Sequence, residues 1–147
     1  MDATNVEQGV GYLVKRVQQA MRRRCDAALR PIGLSMSQYA VLRALADHPD
    51  ASAAELARLC FVTRQSLQDV LGGLRSAGYV DDADSTARGR ARALRLTSAG
   101  RRTLDSAHDA VLGVESQMLQ GIPDSRQAQL AAALAQCAQS LENLPPD

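Results

Sequence analysis

Between residues 6 and 30, Val10, Leu13, Val14, Val17, Met21, Cys25 and Ala28 recur at three- and four-residue spacing. That period lays them along one side of a helix. Pro31 and Gly33 end it. Ser35 then opens S-x-x-Q with Gln38, a capping-box pattern, and Tyr39, Val41, Leu42 and Leu45 follow as an apolar run to about Asp47. His48-Pro49-Asp50 marks a turn. Ser52 opens S-x-x-E with Glu55 ahead of a short helix, about 53–59. Cys60-Phe61-Val62 reads as a tight turn. Thr63 caps a further helix over 64–77, with Leu67, Val70, Leu71 and Leu74 on one face and Gly78 at its end.

The period then changes. Tyr79-Val80 predicts a brief strand, and 81–89 is polar and turn-rich. Residues 91–97 alternate, with Leu94 and Leu96 sharing a face, the signature of a half-buried strand. The pair makes a hairpin. From Thr97-Ser98 a long helix runs to about Gln120, carrying Leu104, Ala107, Val111, Val114 and Met118. Gly121-Ile122-Pro123 breaks it. Asp124 with Gln127 is expected to cap a last helix bearing Leu130, Leu134, Cys137, Ala138, Leu141 and Leu144. The order α-α-α-α-β-β-α-α describes a mainly α domain with a small hairpin. Two short helices joined by a three-residue turn and followed by a hairpin make a winged helix-turn-helix.

Composition narrows the class. The chain has 147 residues, 46% of them hydrophobic, which suits one globular domain without need of disulfides or a metal. No apolar run reaches the ~18 residues a membrane span requires. The start, MDATNVEQGVGYLVK, has no basic segment leading into an apolar core, so the expected compartment is the cytoplasm. Three cysteines without C-x-x-C and two distant histidines predict neither a disulfide framework nor a metal or cofactor site. No nucleophile–base pair or glycine-rich phosphate loop suggests an enzyme. With one Phe, three Tyr and no Trp, single-strand stacking platforms are not expected.

The net charge of +1 is unevenly spread: +2 over 1–51, +4 over 52–102 and −5 over 103–147. An anionic partner would therefore meet the middle of the chain. Sixteen of the seventeen basic residues are Arg, a bias that lowers the weight of any single one. With Leu67, Leu71 and Leu74 inward, the 64–77 helix presents Arg64, Gln65, Gln68, Asp69 and Gly72. Arg and Gln suit guanine and adenine edges in the major groove of double-stranded DNA, although any surface helix has a polar face. Six arginines at 88, 90, 92, 95, 101 and 102, with no acid among residues 88–102, favour DNA over an edge strand merely guarded against aggregation. Asp81, Asp82 and Asp84 are expected to face away from DNA or to pair with arginines.

LSMSQYAVLRAL at 34–45, SAAELARLC at 52–60, L-x-x-x-G-Y-V at 74–80 and LRLTSAGRRTL at 94–104 resemble the MarR family of bacterial transcription regulators over roughly residues 10–144. The resemblance implies a single domain over 1–147. Helices 6–30 and 98–144 would form a homodimer, and 35–97 the winged helix that binds DNA. The expected DNA contacts are Thr63, Arg64, Gln65, Gln68, Asp69, Arg88, Arg90 and Arg92. Two positions depart from the family pattern. Arg88 stands where the wing usually has the Asp of D-x-R, whose Arg falls on Arg90. Asp69 stands where the recognition helix often has a basic residue, and is expected either to contact cytosine or to pair with Arg64 or Arg75.

Some relatives in the family bind phenolic or aromatic acids near the dimer helices, which makes Arg16, Tyr39, His48 and His108 candidate contacts for a small-molecule effector. The reactive cysteine of the family's peroxide sensors has no counterpart at Gly9–Tyr12. Cys25 and Cys137 read as small buried hydrophobes; Cys60, in the turn before the 64–77 helix, is the candidate for a redox role. Two functions compete: a dimeric DNA-binding regulator, or a winged helix that serves as a protein-interaction or dimerisation module without specific DNA binding.

Overall fold

A computed structural model describes residues 5–82 and 94–146. It divides into two compact units, Met1–Val114 and Glu115–Asp147. The elements are α1 (Val10–Leu29), α2 (Met36–Asp47), α3 (Ala53–Leu59), α4 (Arg64–Ser76), β1 (Val80–Asp82), β2 (Leu94–Leu96), α5 (Ser98–Met118) and α6 (Asp124–Glu142). Single 3-10 turns cover Val6–Gln8 and Arg30–Ile32.

The starts of the helices follow their caps. Ser35 and Gln38 form a complete capping box at α2, the Gln38 amide bonding the Ser35 backbone and the Ser35 hydroxyl accepting from Gln38 N–H. Ser52 accepts from Glu55 N–H at α3, without the return bond that would close the box. Thr63 accepts from Ser66 N–H at α4. Each such cap satisfies a backbone donor that the first helical turn leaves unpaired. The expected helix over 6–30 is interrupted: Gly9 is extended, with φ −71° and ψ 147°, and separates the 3-10 turn from α1.

In the first unit α1–α5 and the hairpin enclose one apolar core. Cys25, Leu29, Leu42, Leu56, Leu67, Leu71 and Leu74 are wholly or almost wholly buried, joined by Val41, Val80, Leu96, Leu104 and Ala107. β1 and β2 are antiparallel, with Val80 opposite Leu96, Asp81 opposite Arg95 and Asp82 opposite Leu94. Tyr79, expected in the strand, precedes it; its N–H closes α4 by donating to Leu74 C=O. A corner ties the hairpin to α5. Thr97 N–H donates to Tyr79 C=O (3.0 Å), Thr97 Oγ1 donates to Gly78 C=O (2.6 Å), and Gly100 N–H donates to Thr97 Oγ1 (3.0 Å).

In the second unit α6 starts differently from the expectation. Pro123 is the capping residue and makes no side-chain cap bond; Gln127 instead reaches back with its amide to Ile122 C=O (2.8 Å). Pro123 is itself extended (φ −59°, ψ 150°) and has no N–H that the helix start would leave unpaired. Cys137, expected to be buried, is exposed, as are Leu130, Leu134, Leu141 and Leu144. A periodic apolar face specifies a stripe without specifying that it is covered. Among the described residues no helix is long and apolar enough to cross a membrane.

Candidate nucleic-acid interface

α3 and α4 form the helix-turn-helix. Leu56 and Ala57 anchor α3, and Leu67, Leu71 and Leu74 anchor α4, all buried; Val70 is half-buried against the same core. This packing fixes the rotation of α4. Arg64, Gln65, Gln68, Asp69 and Gly72 are consequently exposed together on its outer side, with the capping Thr63 at its start. The helix therefore offers guanidinium and amide groups, the chemistry that reads base edges.

The turn between them is closed by backbone bonds. Val62 N–H donates to Ala57 C=O (3.0 Å) and Phe61 N–H to Arg58 C=O (3.2 Å). Cys60 and Val62 pack against the core while Phe61 points outward, 92% exposed. Burial pushes the Cys60 thiol up from its ordinary range. That favours the unreactive thiol over the nucleophilic thiolate and argues against a redox role. Cys25 is pushed the same way, by burial first and then by neighbouring Asp26.

Acidic groups near the hairpin are occupied by arginines. Asp81 accepts from Arg95 Nε across the ladder (2.8 Å), and Asp82 pairs with Arg75 near the end of α4 (3.6 Å). This agrees with the expectation for these two acids; Asp84 lies outside the described residues. So do Arg88, Arg90 and Arg92, on which the wing contact was expected. Asp69 departs from the expected pairing. It accepts from Gln65 Nε2 one helical turn back (3.3 Å), while Arg75, one of its two expected partners, is engaged by Asp82. Spacing explains this: Gln65 and Asp69 are i and i+4 on one face of α4.

Of the four candidate effector contacts, two form a pair. Tyr39, buried in α2, and His108, half-buried in α5, meet through a hydrogen bond between Tyr39 Oη and His108 Nδ1 (2.9 Å). Their rings lie 17° from parallel with centroids 6.4 Å apart. Arg16 is exposed on α1, and exposed His48 ends α2. On the same helix Arg43 grips Asp47 with two bonds (3.1 and 2.6 Å), which holds the Asp47 carboxyl below its usual range and lifts the Arg43 guanidinium. Among the described residues no cluster of three or more His, Cys, Asp or Glu is arranged to hold a metal ion. The sequence reading missed two features, the Tyr39–His108 bond and the outward Phe61. The first joins residues 69 positions apart and has no local signal.

Comparison with known proteins agrees with this architecture. A family model described as "MarR family" matches residues 32–91. The HTH-type transcriptional repressor Rv2887 of Mycobacterium tuberculosis (strain ATCC 25618 / H37Rv) is 37% identical over 110 residues, covering 75% of this chain and 79% of that protein. The solved structure of the same Mycobacterium tuberculosis MarR family protein in complex with salicylic acid is similar with a TM-score of 0.75 at 32% identity, over 90% of this chain and 98% of that one. Its complex with DNA gives a TM-score of 0.72 at 32% identity, over 88% and 97% of the two chains. With helix-turn-helix, hairpin and a relative of this similarity, the chain belongs to the MarR family of transcriptional regulators.

Proposed function

We propose that the protein is a cytoplasmic repressor, not an enzyme, that binds a pseudo-palindromic DNA operator as a homodimer. The observation that carries this reading is the outer face of α4. Arg64, Gln65 and Gln68 are exposed side by side above a buried leucine stripe, at the position where a helix-turn-helix places its reading helix. Thr63, Arg64, Gln65, Gln68 and Asp69 are the proposed base and phosphate contacts. Arg88, Arg90 and Arg92 are proposed as wing contacts on sequence alone.

Dimerisation is supported by apolar side chains that the single chain leaves bare. Val10, Val14 and Val17 on α1 are exposed in the first unit, and Leu134, Leu141 and Leu144 in the second. Within the second unit Met118, Leu119, Leu130 and Leu134 line an open hollow of about 400 Å³. Surfaces of this kind mark interfaces. Two-fold symmetry would present two copies of α4 about one turn of DNA, roughly 10 bp, apart.

The relative's complex with salicylic acid supports a small aromatic acid or phenol as effector. Tyr39 and His108 are its candidate contacts, since their bond offers a polar pair that such a ligand can engage. The test is fluorescence anisotropy on a duplex selected by the protein from a random library. Affinity should fall linearly with salt on logarithmic axes, with a slope of about −0.9 per phosphate neutralised, and salicylate should release the duplex. Failure to select any sequence favours the protein-contact reading.

A further inference from the structure

Three helix ends in this chain share one closure. After the Arg30–Ile32 turn, Gly33 N–H donates to Arg30 C=O and Leu34 N–H to Leu29 C=O. After α4, Gly78 and Tyr79 donate to Arg75 and Leu74. After α3, Phe61 and Val62 donate to Arg58 and Ala57. The closure needs a left-handed residue at its first position, which glycine adopts without steric penalty. Gly33 and Gly78 have φ of 84° and 78°; at the third end Phe61 has φ 55°, the sole non-glycine with positive φ among the described residues.

Phe61 is thus doubly unfavourable for the isolated chain. It strains the backbone where two equivalent ends use glycine, and it holds the protein's only phenylalanine ring in water. Its neighbours Cys60 and Val62 pack inward, so the turn does not lack apolar cover. What distinguishes Phe61 is its place. It stands two residues before the cap of α4 and three before Arg64, at the N-terminal end that a helix-turn-helix directs toward base edges. On the major-groove edges of base pairs the apolar group is the thymine 5-methyl.

We propose that Phe61 is a specificity-determining DNA contact whose ring packs on a thymine methyl group at the edge of the major groove, once in each half-site. The proposal rests on the DNA-binding reading above and extends it to a base type. The alternative occupant, another protein, is separated by the test.

The experiment uses the full-length protein and a duplex it selects from a random library. Each thymine is replaced in turn by uracil, which removes only the methyl group. At one thymine per half-site the wild type should lose about fourfold in affinity, the worth of one buried methyl. Phe61→Ala and Phe61→Gly should bind the thymine duplex several-fold more weakly and become indifferent to uracil there. Phe61→Gly should also melt above the wild type, because it relieves the left-handed strain. Stability rising while affinity falls is an outcome that a merely structural residue does not give. Wild-type affinity in Phe61→Ala, or uracil sensitivity unchanged in that variant, overturns the proposal, as does a wild type indifferent to uracil throughout. A protein that selects no duplex overturns the DNA-binding reading itself, a distinguishable result.

Discussion

Gly100, inside the first turn of α5, lies so close to Tyr79 that a Cβ on it would overlap the Tyr79 carbonyl oxygen. That same oxygen accepts the Thr97 N–H. The closeness explains the L-T-x-x-G pattern at 96–100 in physical terms. Leu96 seats β2 in the core, Thr97 joins the strand to the turn after α4, and Gly100 lets the backbone of α5 touch that turn. The hairpin is thereby fixed to the end of α4.

Gly100→Ala should be strongly destabilising. Overpacking against side chains commonly costs about 1–3 kcal/mol, and here the obstacle is backbone, which cannot rotate away. Gly72 on α4 is the control, since a Cβ there meets nothing within 4 Å. Gly72→Ala should stabilise by up to about 1 kcal/mol through helix propensity. Urea denaturation of the two variants should move in opposite directions; a neutral Gly100→Ala would remove the steric account.

Tyr39→Phe tests the tie between α2 and α5. The bond from Tyr39 to His108 spans two helices and is half-shielded from water. Its loss should cost about 1 kcal/mol. A double-mutant cycle with His108→Ala should show coupling of similar size. Additive single effects would mean that the two rings stabilise the protein independently.

Much of this fold was legible because local chemistry fixes it. Ser35 with Gln38 and Thr63 mark helix starts, and Gly33 and Gly78 mark helix ends through their left-handed backbone. The leucine stripe at 67, 71 and 74 fixed which side of α4 faces out. Other features depend on what meets a stripe. On α1 the sequence gives Val10, Val14, Val17 and Cys25 one apolar side, yet Cys25 is buried and the valines are bare. Periodicity identifies an apolar face without saying what covers it. Cys137 was misread for that reason. Phe61 was illegible because no pattern marks a phenylalanine that takes glycine's backbone conformation. Nothing in the structure explains Gly72.

Cys60 should behave as an unreactive thiol. Burial raises its pKa, so at neutral pH its thiolate fraction lies below that of a free cysteine. Alkylation by iodoacetamide, followed by mass spectrometry across a pH series, should give a midpoint displaced upward from that of a small thiol. Peroxide at modest concentration should leave DNA affinity unchanged in both the wild type and Cys60→Ser. Loss of affinity in the wild type alone would make Cys60 a sensor.

Asp69→Asn addresses the acid on the outer face of α4. Asp69 accepts from Gln65, an uncharged partner, and if α4 docks as proposed its carboxylate faces approaching phosphates. Asparagine keeps the acceptor oxygen and the length of the side chain while removing the charge. Two unit charges about 4 Å apart in water interact by about 1 kcal/mol, so affinity for random duplexes should rise by up to several-fold at low salt. The gain should shrink as salt screens the charge. Affinity for the selected duplex should rise less, because a carboxylate that accepts from cytosine N4 contributes to choosing that sequence. Discrimination between the two duplexes should therefore narrow. Anisotropy titrations of both duplexes at several salt concentrations measure this. If random-duplex affinity does not change at low salt, Asp69 lies too far from the phosphates to repel them, and the outer face of α4 does not dock as proposed.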